Sequence, residues 1–191
     1  MKVVAFSGSA RLDGNTARMV REAFGTLEAA GIETELVQMA GQRLRGCRAC
    51  YVCAERKDGR CSIEDDPVND WISKMVAADG IILASPVYFS DVSAEMKALI
   101  DRAGMVCRTG GDLLRRKACA GIAVARRGGA IHTFDTLNHF FLIGQMIVVG
   151  SSYWNLGFGR DKGEVEQDTE AMSVMRTLGE NLAWALGKLG A

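Results

Sequence analysis

Two stretches of the chain hold residue types whose spacing suits chemistry. The first is Gly8-Ser9-Ala10-Arg11-Leu12-Asp13-Gly14-Asn15-Thr16, which joins an apolar run to a segment of helical periodicity. At a helix start the first backbone N–H groups lack intrahelical partners, and the helix dipole adds positive potential. Ser9, Asn15 and Thr16 supply further hydroxyl and amide groups, and Arg11 can fork onto phosphate oxygens. The spacing is neither the dinucleotide fingerprint G-x-G-x-x-G nor a Walker loop, which needs a Lys after its last Gly. It favours the terminal phosphate of a mononucleotide. The bland alternative is a polar turn with Asn15 or Thr16 as helix cap, and the loop alone does not separate the two.

The second stretch is C-x2-C-x2-C-x7-C, formed by Cys47, Cys50, Cys53 and Cys61. Four soft ligands so close in sequence are hard to explain as packing, although a buried free thiol is a common small hydrophobe. Zinc sites usually pair two C-x2-C knuckles across a longer gap. Three cysteines spaced two apart suit iron–sulfur ligation better, although in bacterial ferredoxins the fourth cysteine of such a run serves another cluster. Arg43, Arg45, Arg48, Arg56, Lys57 and Arg60 outnumber Glu55 and Asp58 around the motif. That excess would stabilise thiolates or an anionic cluster, and would equally attract a phosphate of NADPH. Cys107 and Cys119 lie outside the motif and are expected to be packing residues.

The elements that must position these loops are legible from periodicity. Buried strands are expected at Lys2 to Ser7, Gly80 to Ser85, Ala118 to Ala125 and Met146 to Gly150, and an alternating one at Ile32 to Met39. Helical spacing runs from Asn15 to Ala30, after Asp65-Asp66-Pro67, from Ser93 to Ala103, from about Gly129, and from about Asp168 to Leu189. Strand–helix alternation with near-continuous apolar strands means a parallel sheet covered on both faces. Five strands fit a three-layer, doubly wound flavodoxin-like α/β sheet of order 2-1-3-4-5, a single domain spanning 1–191 with a cysteine-rich loop at 43–64. Ligands in such sheets sit beyond the carboxyl ends of the strands. Residues 40–64 are the one long irregular stretch, and long loops in compact domains are usually functional.

Composition narrows the partners. Lys plus Arg and Asp plus Glu number 23 each, so no global basic field exists to hold nucleic acid or an anionic membrane. No stretch approaches the roughly 18 uninterrupted apolar residues of a membrane span, and the first apolar run is too short for a signal peptide. A cytoplasmic protein with reduced, metal-bound or redox-active cysteines is the expectation.

Two more loops belong to the same sheet edge. Ser85-Pro86-Val87-Tyr88-Phe89-Ser90 follows the third strand, and its aromatics suit a planar ring, or else rim packing. Arg126-Arg127-Gly128-Gly129 follows the fourth, where glycines permit close backbone approach. The motif G-S-x-R-x-x-G-N-T after strand one, with S-P-x-Y after strand three, resembles the NADPH-dependent FMN reductase family over nearly the whole chain. The resemblance implies that Ser9, Arg11, Gly14, Asn15 and Thr16 bind the FMN phosphate. It implies that Pro86, Val87, Tyr88, Phe89 and Ser90 wrap the isoalloxazine ring, with Gly128 and Gly129 beside its pyrimidine edge. The cysteine motif is similar to that of the iron–sulfur flavoproteins in the same family, which implies a 4Fe-4S cluster on Cys47, Cys50, Cys53 and Cys61. Plain FMN reductases can also carry cysteines here before an Asp-Asp pair.

Two functions follow. One is an enzyme taking hydride from NAD(P)H onto FMN and passing electrons to a small acceptor such as a flavin or quinone. The other is an iron–sulfur flavoprotein exchanging electrons with ferredoxin through a cluster. A zinc-binding module ranks below both. Neither needs a side-chain base, and His132 and His139, seven residues apart on one expected helix, are read as structural. The family implies homo-oligomers, with Val68, Trp71 and Trp154 as the apolar surface a second copy would cover.

Overall fold

Strands β1 (Lys2–Ser7), β3 (Gly80–Pro86) and β4 (Ala118–Ala125) are buried almost throughout, because apolar side chains point to both faces of the sheet they form. The structure, a computed structural model, describes residues 1–190. With β2 (Glu33–Gln38) at one edge and β5 (Ile147–Val148) at the other, the strand order is β2-β1-β3-β4-β5, all parallel. Helices α1 (Asn15–Ala29) and α6 (Thr169–Leu189) cover one face. There Val3, Ala5, Ile82, Ala84, Ala120 and Ile122 meet Met19, Phe24, Met175 and Leu182. Helices α3 (Val68–Ala77), α4 (Ala94–Thr109) and α5 (Ala130–Ile143) cover the other. On that side Val4, Phe6, Ile81 and Leu83 meet Ile72, Met96, Leu99 and Phe141. The flavodoxin-like α/β architecture read from the sequence is the architecture observed.

The fifth strand departs from expectation. It comes in two pieces: β5 pairs Ala118 and Cys119, and β6 (Leu156–Phe158) pairs Ala123 to Ala125. Between them the chain loops out and leaves the middle of β4 without a strand partner on that side, its other side being paired with β3. Asn155 fills that gap, its Nδ2 donating to the Gly121 carbonyl at 3.0 Å and its own carbonyl accepting from Ala123 N at 3.0 Å. Three residues are too few for a periodic signal, so β6 is invisible to sequence patterning.

Two further corrections concern the expected loop and surface. The stretch expected to be irregular contains a single helical turn, α2 (Val52–Arg56), entered and left through left-handed residues Tyr51 (φ 57°) and Lys57 (φ 51°). Val68 and Trp71 are core residues, so they cannot supply a dimer surface; Trp154, 53% exposed, can. The apolar spacing that singled out Val68 and Trp71 is the buried face of α3 itself. Among the described residues no helix is long and apolar enough to cross a membrane.

Candidate functional site

The carboxyl ends of β1, β3, β4 and β6 open onto one cavity of about 270 Å³. Ser9, Arg11, Asn15, Thr16, Pro86, Val87 and Tyr88, all singled out in the sequence, line it. Val124, Arg126, Gly159 and Arg160 line it as well. Gly14, Phe89, Ser90, Gly128 and Gly129 stand outside the lining. Gly159 and Arg160 come from the segment after β6 and were missed with it. The only advance signal was the turn-like run Gly159-Arg160-Asp161-Lys162-Gly163.

The loop after β1 is held from beneath. Gly8 sits where a Cβ would lie 2.8 Å from Ser93 Oγ and 2.9 Å from Met96 Cβ, so only glycine lets β1 turn over α4 here. Ser93 caps α4 by accepting from Met96 N at 3.1 Å and donates to the Gly8 carbonyl at 2.7 Å. Asp168 likewise caps α6, accepting from Ala171 N. No side chain caps α1, whose N-cap is Gly14. The α1 amides therefore face the cavity beside Ser9, Thr16 and Arg11, a donor-rich, electropositive setting that suits a phosphate. Two expected ligands have other duties. Asn15 donates to the Asp161 carbonyl at 2.9 Å and accepts from Gly163 N at 2.8 Å, so its amide pins the loop after β6. Arg11 donates to the Arg160 carbonyl at 2.8 Å.

The opposite wall suits a flat ring. Tyr88 and Asp91 form an antiparallel bridge that turns the chain back after β3, and Phe89 (φ 50°) and Ser90 (φ 65°) hold the left-handed conformations that turn needs. Phe89 projects into solvent. Gly129 (φ 83°) approaches so closely that a Cβ would lie 2.8 Å from Ser90 Oγ and 2.9 Å from Ser90 Cα. The loop after β4 thus buttresses the loop after β3. Gly128 meets no neighbour, and His132 and His139 lie on the solvent side of α5.

The second site is the cysteine loop. Cys47, Cys50, Cys53 and Cys61 all line one small concavity of about 20 Å³ over α4, with Arg102, Met105 and Val106 as its floor. Cys53 and Cys61 pack against the core beneath, while Cys47 and Cys50 are exposed at the rim. Ala49 (φ 51°) and Tyr51 (φ 57°) hold the rim in left-handed backbone, an arrangement that costs free energy and is concentrated at ligand-holding segments. A hydrogen bond with Ser62, helped by the Val52 amide and Arg48, pulls the Cys50 thiol down to about 7. Asn69 on α3 accepts from Cys61 N at 2.7 Å and donates to the Cys61 and Ile63 carbonyls. Among the described residues no three ligating groups converge closely enough to hold a single metal ion. The donor set of four soft thiols on one concavity suits a polynuclear cluster, in which each thiolate serves a different iron. Cys107 and Cys119 are buried packing residues, as expected, and burial pushes the Cys107 thiol up to about 12.

Comparison with known proteins decides the family. The model of the NADPH-dependent FMN reductase family matches residues 1–161. The chain belongs to that family. It is a flavin-dependent oxidoreductase that binds FMN. An iron–sulfur flavoprotein of Methanocaldococcus jannaschii is 42% identical over 190 residues, covering 96% of each chain. A second protein of that name from the same organism is 33% identical over 185 residues, covering 92% of each. Among solved structures, an NAD(P)H:quinone oxidoreductase from Methanothermobacter marburgensis superposes with a TM-score of 0.70 at 14% identity, over 95% of this chain and 98% of that one. That likeness shows the shared fold.

Proposed function

We propose that this member of the FMN reductase family is an iron–sulfur flavoprotein, moving electrons between FMN and an iron–sulfur centre on Cys47, Cys50, Cys53 and Cys61. The observation that carries this is the gathering of all four cysteines of C-x2-C-x2-C-x7-C on one concavity. The names of the full-length relatives support it. Flavin exchanges electrons singly or as hydride and a cluster singly, so the pair converts between the two.

The chain's own residues bind and orient. The α1 amides with Ser9, Arg11, Gly14 and Thr16 hold the FMN phosphate, and Asn15 fixes the loop that closes over it. Pro86, Val87 and Tyr88 form the wall for the ring, with the Phe89–Ser90 turn behind them braced by Gly129. Arg126 on the cavity lining stabilises negative charge on reduced flavin. Cys53 and Cys61 form the anchored half of the cluster site, and Cys47 and Cys50 the half open to solvent. A one-electron donor of the ferredoxin class is the partner this reading calls for, with a small molecule as acceptor. The second reading, NAD(P)H as donor, is favoured by the openness of the cavity beside Tyr88, where a nicotinamide can stack.

Cofactor analysis of protein purified without oxygen tests both. FMN with about four irons and matching sulfide per chain is the expected result. Flavin with neither iron nor sulfide, reduced rapidly by NAD(P)H, supports the second reading. Flavin accompanied by tightly held zinc would overturn the cluster, and protein that takes up no FMN would overturn the site.

A further inference from the structure

The cysteine concavity has a floor that the family motif does not mention. Arg102 on α4 is fully buried, 0% exposed. Its Nη1 donates to Asp66 Oδ2, whose side chain is 2% exposed, and to the Arg45 carbonyl at 3.3 Å. Its Nη2 donates to the Ile63 carbonyl at 2.9 Å. Arg45 lies just before Cys47 and Ile63 just after Cys61, so one guanidinium fastens both ends of the cysteine loop to one helix. Its Nε–H is buried and has no partner. A buried unpaired donor on a charged group is costly, and such a group calls for an explanation. Arg102 lines the concavity with all four cysteines. Burial opposes the Arg102 charge, but Asp66 and the Cys61 sulfur outweigh it and hold the group protonated.

We infer that Arg102 is the positioning residue of the cysteine centre: it clamps both ends of the cysteine loop onto α4, and its charge and free Nε–H raise the potential at which that centre accepts an electron. The inference rests on reading the four cysteines as an iron–sulfur site. In that step one electron arrives from a low-potential carrier of the ferredoxin class, one negative charge is added, no bond forms or breaks and no proton moves. A fixed cation and a hydrogen bond to sulfur favour the more negative state. Asp66 pairs with Nη1 and offsets part of the charge, while Nε–H is left without a partner at a residue that lines the concavity.

Two variants test this. R102Q/D66N removes both charges and leaves no buried ion unpaired; R102K keeps a charge but loses the fork. Each is compared with the parent chain after anaerobic loading with ferrous iron and sulfide. Bound FMN, thermal melting, iron content, iron release to a chelator and the midpoint of dithionite reduction of the centre are measured. The flavin midpoint is the internal control, because neither residue lines the FMN cavity. For R102Q/D66N, FMN is retained and the equilibrium constant for reducing the centre falls by about tenfold or more, about 59 mV for one electron. R102K keeps a charge but loses Nε–H, so its midpoint falls by less than that of R102Q/D66N, and it releases iron about tenfold faster. Parent-like midpoint and parent-like release in the two variants overturn the inference. Should R102Q/D66N melt before loading, iron release from R102K decides alone. A parent chain that binds FMN but neither iron nor sulfide defeats the cluster reading itself, and Arg102's role with it.

Discussion

Asp66 shows how one side chain can serve two structures at once. Its Oδ1 accepts from Val68 N at 3.2 Å and opens α3, while Oδ2 pairs with Arg102. Burial pushes its carboxyl up, but the Arg102 guanidinium and the amides of Val68 and Arg45 outweigh that and hold it below the ordinary 3.8. A carboxylate whose folded pKa is depressed contributes stability that is present above its unfolded pKa and lost as pH falls through the folded value. D66N leaves Arg102 buried without its counter-ion, at a cost of about 3 kcal/mol near neutral pH. The difference in urea stability between parent and D66N should hold steady above about pH 5 and shrink as acid protonates the parent's Asp66. A difference that stays constant down to the acid unfolding of both proteins would show that the pair does not form in solution. The sequence placed Asp66 correctly as a helix-opening acid, but its partner was hidden. Arg102 lies three residues after Leu99 on the apolar stripe of α4, a cation where the pattern asks for a hydrophobe. That break in periodicity is a signal only when the loop that covers it is known.

At the level of elements, the cavity depends on loops that brace one another. The loop after β4 supports the loop after β3 through the contact between Gly129 and Ser90. Gly129→Ala adds a Cβ at a left-handed backbone angle and against Ser90, so it displaces the Tyr88–Ser90 wall. A cost of about 1–3 kcal/mol in overall stability is expected from such crowding. FMN affinity should fall by about tenfold, read from quenching of flavin fluorescence on titration. Unchanged affinity would mean that the wall does not touch the ring. The loop after β1 is braced in the same way by Ser93 and Met96 beneath Gly8. These loops were legible as a set because each follows an apolar strand at the same sheet edge. The contribution of Gly159 and Arg160 was not, because a three-residue strand leaves no periodic trace.

Across the whole molecule, the cavity lies at the carboxyl edge of the sheet, while the cysteine concavity lies over α4 on one face. The loop after β1 leads into α1, which packs against α6. Gly179 permits that close approach: a Cβ there would overlap the Ala23 carbonyl oxygen and lie 2.8 Å from Thr26 Cβ. Gly179→Ala should cost about 1–3 kcal/mol, lowering the melting temperature by about 2–4 °C per kcal/mol for a chain this size. FMN binding should weaken with it, since α1 carries the proposed phosphate donors; stabilisation instead would show that the two helices have slack. The cysteine concavity rests on α3 and α4, on the other face, and should be untouched by this change.

By itself the sequence determined the sheet and its order, the sheet edge at which the loops converge on a cavity, and the presence of a thiol-rich loop. Those properties follow from local information: apolar runs, helical spacing, glycine-bearing loops and cysteine spacing are all written within a few residues of one another. Tertiary structure decided what joins across distance. Asn155 closing the gap in β4, Asn15 holding the loop at 161–163, Gly129 bracing Ser90, and Arg102 gathering Arg45, Ile63 and Asp66 all link residues far apart in the chain. A buried polar group must find its partner wherever the fold delivers one, and no local pattern records which residue that will be.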